Sequence, residues 1–161
     1  MHEVVRLAIA DRVNRATRSD GSLPLAGRCA AGRRGHAPAR AVIDYLVTED
    51  AVLLAEDAGF VIRDLGLLAG ALARPQATAF GRDAYPEFPA KIAALMDAIN
   101  RSHPLLDDNQ RLSWICAVVF AARNGVVLSA PQREIDAVIR AVADGALPLA
   151  ELTQWVAAHA D

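Results

Sequence analysis

Between Leu112 and Ala122 the chain reads LSWICAVVFAA, eleven residues of which Ser113 alone is polar. A helix that is apolar on almost every side must be surrounded by other elements, so this run is expected to be the central helix of a bundle. It is too short to cross a bilayer, which takes roughly 18 apolar residues. Asn124 and Gly125 stop it, and helical periodicity resumes on both sides. Upstream, a helix over about residues 87–101 places Ile92, Leu95, Met96 and Ile99 at i, i+3, i+4 and i+7. Downstream, Ser129 and Pro131 open a helix carrying Ile135, Val138, Ile139 and Val142, and Leu149, Leu152 and Val156 mark the last one. Nearer the start, Thr48 is expected to cap a helix running to about Asp57, with Glu49 and Asp50 in its first turn. Asp64 begins another, with Leu65, Leu68 and Leu72 on one face, ended by Pro75. Strand patterns are nearly absent: residues 42–47 offer a short extended lead-in and residues 74–87 a loop or small hairpin. The expected class is all-α.

The 161 residues suit one domain, and with 53% apolar and 22% charged residues the chain can bury a core. Two regimes meet near position 41. Residues 1–41 hold eight arginines against three acids and stand at +5; the remaining 120 hold nine basic against sixteen acidic groups and stand at −7. The stretch from about residue 20 to 40 is rich in Gly, Pro, Ser and Ala and reads as a flexible linker or tail, with a short helix possible over residues 3–15. We therefore expect an Arg/Gly/Ala-rich extension over residues 1–41 and one domain over 42–161. Sixteen of the seventeen basic residues are arginine, Lys91 being the exception. Such usage follows genome composition, and direct nucleic-acid binding is not expected. No signal-type segment opens the chain and Cys29 and Cys116 have no metal or redox spacing, so a cytoplasmic protein without disulfides is expected. Cys116 and Trp155 read as packing. Tyr85 and Phe88 suit either core anchoring or contact with a target. His2, His36 and His159 stand alone.

The chemistry concentrates in His103 to Trp114, HPLLDDNQRLSW. His103-Pro104 ends one central helix and the next starts about six residues later. Were the ligand a nucleotide phosphate, each polar group would have a use. Backbone amides around Asp108 to Arg111, at a helix N-terminus, suit phosphate oxygens. Asn109 suits a cap or a phosphate, and Arg111 supplies a permanent, bidentate charge. Asp107 would repel the anion unless Mg²⁺ lay between them. An imidazole titrates near pH 6.5, which suits His103 to take a proton from an attacking hydroxyl. The plain structural alternative makes Asp108 and Asn109 caps, pairs Arg111 with Asp107 and leaves His103 a loop residue. Spacing alone stops at an anion site.

The segment resembles the signature of the Fic/Doc family, H-[PX]-F-X-[DE]-[GA]-N-[GK]-R, with His103, Asp107, Asn109 and Arg111 at matching offsets. Asp64 to Glu87 (DLGLLAGALARPQATAFGRDAYPE) is similar to the segment that precedes the motif in the death-on-curing (Doc) toxin branch, and Val118 to Leu128 to the stretch that follows it. The resemblance covers about residues 42–160. It implies a Fic-fold bundle of six or seven helices, with a short flap hairpin and the motif loop between two central helices. It implies His103 as general base, Asp107 as the Mg²⁺-associated acid, and Asp108, Asn109, Gln110 and Arg111 around the phosphates. Arg74, Pro75, Gln76, Ala77, Thr78, Ala79 and Phe80 would form the flap that aligns a target.

For function, the Doc branch implies transfer of the ATP γ-phosphate to a protein hydroxyl, a threonine of elongation factor Tu, with arrest of translation and restraint by a Phd-type antitoxin. Four positions depart from the pattern. Leu105 replaces Phe, Asp108 replaces Gly or Ala, and Gln110 replaces the Gly of AMP-transferring members or the Lys of Doc toxins. Trp114 lies where AMP-transferring members carry a second arginine. Gln110 and Trp114 disfavour AMP transfer, which stays an alternative; Asp108 and Gln110 motivate another, a non-catalytic Fic-fold binder. No [ST]-x-x-x-E-[GN] inhibitory helix occurs in the chain, so inhibition is expected from a separate partner.

Overall fold

A computed structural model describes residues 42–161. The expected extension, with its short helix, its linker, His2, His36 and Cys29, lies outside the described residues. Among the described residues six α-helices follow one another: α1 (Thr48–Asp57), α2 (Leu65–Ala73), α3 (Phe88–Ser102), α4 (Asn109–Arg123), α5 (Gln132–Ala143) and α6 (Leu149–Ala158). A 3₁₀ turn (Arg74–Gln76) and a hairpin of β1 (Thr78–Ala79) with β2 (Arg82–Asp83) interrupt them between α2 and α3. The all-α class with a short hairpin is what the sequence predicts. None of the described helices is long and apolar enough to cross a membrane.

The core lies along α3 and α4. Ile92, Leu95, Met96 and Ile99 are buried on α3, and Leu112, Cys116, Ala117 and Phe120 on α4. Each large apolar side chain removed from water contributes roughly 1.5–3 kcal/mol before ordering costs. Phe120 also gathers aromatic neighbours, stacking on Tyr45 at 5.7 Å and meeting Phe88 at 5.1 Å. Ile135, Ile139 and Val142 of α5, with Leu152 and Val156 of α6, close the other side. Trp155 packs on Trp114 at 6.2 Å and stacks on His159 at 4.3 Å, and His159 also reaches Glu134 at 3.2 Å.

Long-range polar contacts hold the periphery. The Asn124 side chain, just beyond α4, accepts from the Asp44 N–H and donates to its carbonyl, both at 2.9 Å. Arg123 grips both oxygens of Asp50 at 2.6 and 2.7 Å. Two expectations are corrected. Val47, not Thr48, is the N-cap of α1, because the Asp50 carboxylate reaches back to the Val47 N–H at 3.0 Å. Leu65 is exposed while Leu68 and Leu72 are buried, since Leu65 is the first residue of α2, at the end where α3 stops.

Cys116 is fully buried, and its thiol is pushed up from 9.0 to about 12 by desolvation and, secondarily, by the Asp50 carboxylate. The unfolded chain releases this proton near pH 9 and the folded chain near pH 12. Its contribution is therefore complete below pH 9 and is lost between pH 9 and 12, by about 1.4 kcal/mol per unit. Urea unfolding of the native chain and of Cys116→Ala should show a stability gap that narrows by about 2 kcal/mol between pH 8 and 10.5. A gap independent of pH contradicts this.

Candidate active site

Six residues, 103–108, reverse the chain between α3 and α4. Two of them do so in the left-handed region: His103, the C-cap of α3, at φ 48° and ψ 58°, and Asp108, the N-cap of α4, at φ 63° and ψ 19°. Among the described residues only one other non-glycine has positive φ, Phe80 at 52°. Phe80 and Gly81 (φ 74°) form the hairpin tip, where paired positive φ values match the right-handed strand twist. A bulky side chain in that region costs on the order of 1–2 kcal/mol. Such strain persists where surrounding structure enforces it, and it gathers at functional sites. Here it falls only in the motif loop and at the tip of the sequence-expected flap.

The enforcing contacts are visible. The buried Asn109 amide buckles the loop: its Oδ1 accepts from the Leu105 N–H at 2.8 Å and its Nδ2 donates to the Leu105 carbonyl at 3.1 Å. The segment before α2 lies along the loop as an antiparallel bridge between Ile62 and Leu105. Arg63 and Asp64 donate their N–H groups to the Pro104 carbonyl at 2.8 and 3.1 Å, and the Leu106 N–H donates to Val61 at 3.0 Å. The Arg63 guanidinium also donates to the His103 carbonyl at 2.6 Å, satisfying a helix-end oxygen and holding His103 in its left-handed turn. Beneath the loop, Asn100 donates to Ser113 Oγ at 2.9 Å, which donates to the Gln110 carbonyl at 2.7 Å. This buried chain ties α3 to the first turn of α4.

Around this frame His103, Asp107, Asp108, Gln110 and Arg111 are exposed. Asp108 caps α4 by position but makes no side-chain capping bond. Its carboxylate pairs instead with Arg111 at 3.1 Å, so the arginine pair that forms is with Asp108 where the plain structural reading had Asp107. The amides of Asn109 and Gln110 thus open a helix N-terminus that no cap side chain covers, with the dipole's partial positive charge behind them. The Arg111 guanidinium also lies over the Phe60 ring at 5.4 Å. With side chains 50% and 38% exposed, the Arg111–Asp108 pair is worth well under about 1 kcal/mol. An arriving phosphate would exchange it readily.

The described residues hold no group of three or more potential metal ligands. Asp107 is one exposed carboxylate, a donor set that fits a Mg²⁺ shared with nucleotide phosphates and its own waters but not a resident metal. A groove of about 440 Å³ between α2 and α3, lined by Gly66, Gly70, Arg74, Asp97 and Ser102 among others, takes none of its walls from residues 103–111. The flap residues divide as follows. Arg74, Pro75 and Gln76 form the 3₁₀ turn, Ala77 leads out of it, and Thr78, Ala79 and Phe80 form β1 and the tip. Arg74 sits over the buried Tyr85 ring at 5.7 Å, so Tyr85 anchors the base of the hairpin. Sequence reasoning passed over Phe60, Arg63 and Lys91. Periodicity carries no signal for the first two. Lys91, one turn from Leu95 on a buried face, carried one.

The family model for the Fic/DOC family matches residues 43–121, which include the hairpin and the motif loop. A curated protein named Toxin Doc, from Mycolicibacterium smegmatis, is 47% identical over 91 residues, covering 54% of this chain and 69% of that protein. No solved structure matches the chain. A relative 47% identical and matched over more than two thirds of its length, with the family match spanning both the hairpin and the motif loop, leads to one assignment: the chain belongs to the Fic/Doc family.

Proposed function

We propose that the protein is a Doc-like toxin that transfers the ATP γ-phosphoryl group to a protein hydroxyl, that of a threonine in elongation factor Tu, and is held in check by a Phd-type antitoxin. The observation that carries this is the first turn of α4: open backbone amides, an exposed arginine whose pair with Asp108 is weak, and a histidine fixed at the other end of the same short loop. The name of the Mycolicibacterium smegmatis relative supports the toxin reading.

Phosphoryl transfer needs positioning and charge stabilisation more than covalent participation. The Asn109, Gln110 and Arg111 segment would receive the phosphates, through backbone donors and the Arg111 guanidinium. Gln110 and Asp108 border that cradle, and the Asn109 side chain keeps its shape by holding Leu105. Mg²⁺, held by Asp107 and the phosphates, would neutralise charge there. His103 would accept the hydroxyl proton as the hydroxyl oxygen bonds to the γ-phosphorus and ADP departs with the electrons of the broken P–O bond. The hairpin would align the target. One observation favours a second reading, a non-catalytic binder: Asp108 already neutralises Arg111.

Incubating the 161-residue chain with elongation factor Tu and ATP labelled at the α or the γ phosphate separates the readings. The proposal expects label from the γ position and a loss of at least 100-fold in His103→Ala, within the range for removing a general base. Label from the α position would indicate AMP transfer, and no label in either protein the binder. Asp108→Gly tests the cradle directly. Glycine accepts the left-handed turn, and removing the carboxylate takes a negative charge away from the first turn of α4, so ATP affinity should rise about fivefold with folding stability changed by less than about 1 kcal/mol. Weaker binding, measured by calorimetry, would place the nucleotide elsewhere.

A further inference from the structure

Lys91 is the sole lysine of the chain, and it is 1% exposed. Its ammonium donates to the Pro75 carbonyl at 3.0 Å and to Asp83 Oδ2 at 2.7 Å, and lies 5.6 Å from the centre of the Tyr45 ring. Pro75 lies in the 3₁₀ turn that leads into the hairpin, and Asp83 ends its second strand. The Asp83 Oδ1 accepts from the Tyr85 N–H at 2.9 Å, and the Ala84 N–H donates to Ala77 at 2.9 Å, so both legs converge on this one cation. A buried ion pair is a poor source of stability, because desolvation offsets the attraction and an apolar pair of similar volume often serves as well. What it supplies is direction: ammonium and carboxylate must meet, whereas methyl groups slide.

We infer that Lys91 is a positioning residue that sets the hairpin in the frame of His103, an inference that rests on the hairpin presenting the protein target. Both groups belong to one helix, Lys91 near the start of α3 and His103 at its end. Twelve residues of helix separate them by about 18 Å. An extended polypeptide covers that distance in about six residues. The rigid helix therefore sets the spacing between the hairpin and the imidazole. α2 repeats the arrangement alongside. Asp64, its cap, is bonded to the motif loop at Pro104, and the turn that follows it is bonded to Lys91 at Pro75.

The test compares the full chain with Lys91→Met and with the milder, part-exposed Asp83→Asn. Three readouts are taken: hydrogen exchange at the Ala84 amide, KM and kcat for the protein substrate, and the Kd for ATP with Mg²⁺. Anchoring predicts exchange at least tenfold faster in both variants and a KM for the protein substrate at least tenfold higher, with kcat within threefold and nucleotide Kd within twofold of the native values. Unchanged exchange in both variants overturns the anchor. Faster exchange with an unchanged KM overturns the positioning role and leaves Lys91 a structural tie. A native chain that transfers no phosphate to any substrate, with exchange still accelerated in the variants, supports the anchor and overturns the kinase reading instead.

Discussion

The arrangement depends on a short reversal between two central helices that is closed by one amide. Both polar ends of the Asn109 side chain are bonded to Leu105, four residues back, so the loop is pulled into a ring whose outer rim carries the exposed groups. Closing it this tightly pushes His103 and Asp108 into left-handed backbone. The cost is met by contacts from outside the loop: the Arg63 guanidinium on the His103 carbonyl, the bridge to Ile62 and the buried Asn100–Ser113 chain beneath. The fold supplies rigidity where the sequence places strain.

That rigidity determines the electrostatics. Because Asp108 is turned left-handed, its carboxylate goes to Arg111 and does not cap the helix. The helix therefore offers its first amides to an anion, and the competing negative charge is exposed and weakly held. The Asp108 carboxylate places a negative charge beside these amides without covering them. The buried half of the molecule makes the opposite choice. Lys91 meets its carboxylate and carbonyl partners away from water, where geometry counts for more than net energy.

Much of this was legible in the sequence, and the reasons differ by element. The stripe of α5 is regular because that helix buries one face, and Ile92, Leu95, Met96 and Ile99 of α3 are buried as their spacing predicts, although Lys91 to Met96 are buried in an unbroken run that a one-sided stripe does not announce. The all-round apolar run of α4 is legible because that helix is buried on several sides. Leu65 misled because a stripe says nothing about where the partner helix ends. Thr48 misled because the acid at the third position captures the backbone one residue earlier. The motif residues were legible as a cluster, but their pairings were not. The partner of Arg111 follows from a positive φ at Asp108, and the roles of Arg63 and Lys91 from contacts 40 and 16 residues apart in the chain. Spacing within one helix carries no information about such distant meetings.

The proposed function requires the first turn of α4 to receive the phosphates of a nucleotide. Backbone NMR of the full chain during titration with ATP and Mg²⁺ tests it most directly. Saturable shifts are expected at the Asn109, Gln110 and Arg111 amides, with the His103 ring following and the α2–α3 groove residues Gly66 and Gly70 unmoved. Shifts at the groove with the α4 amides silent would contradict it.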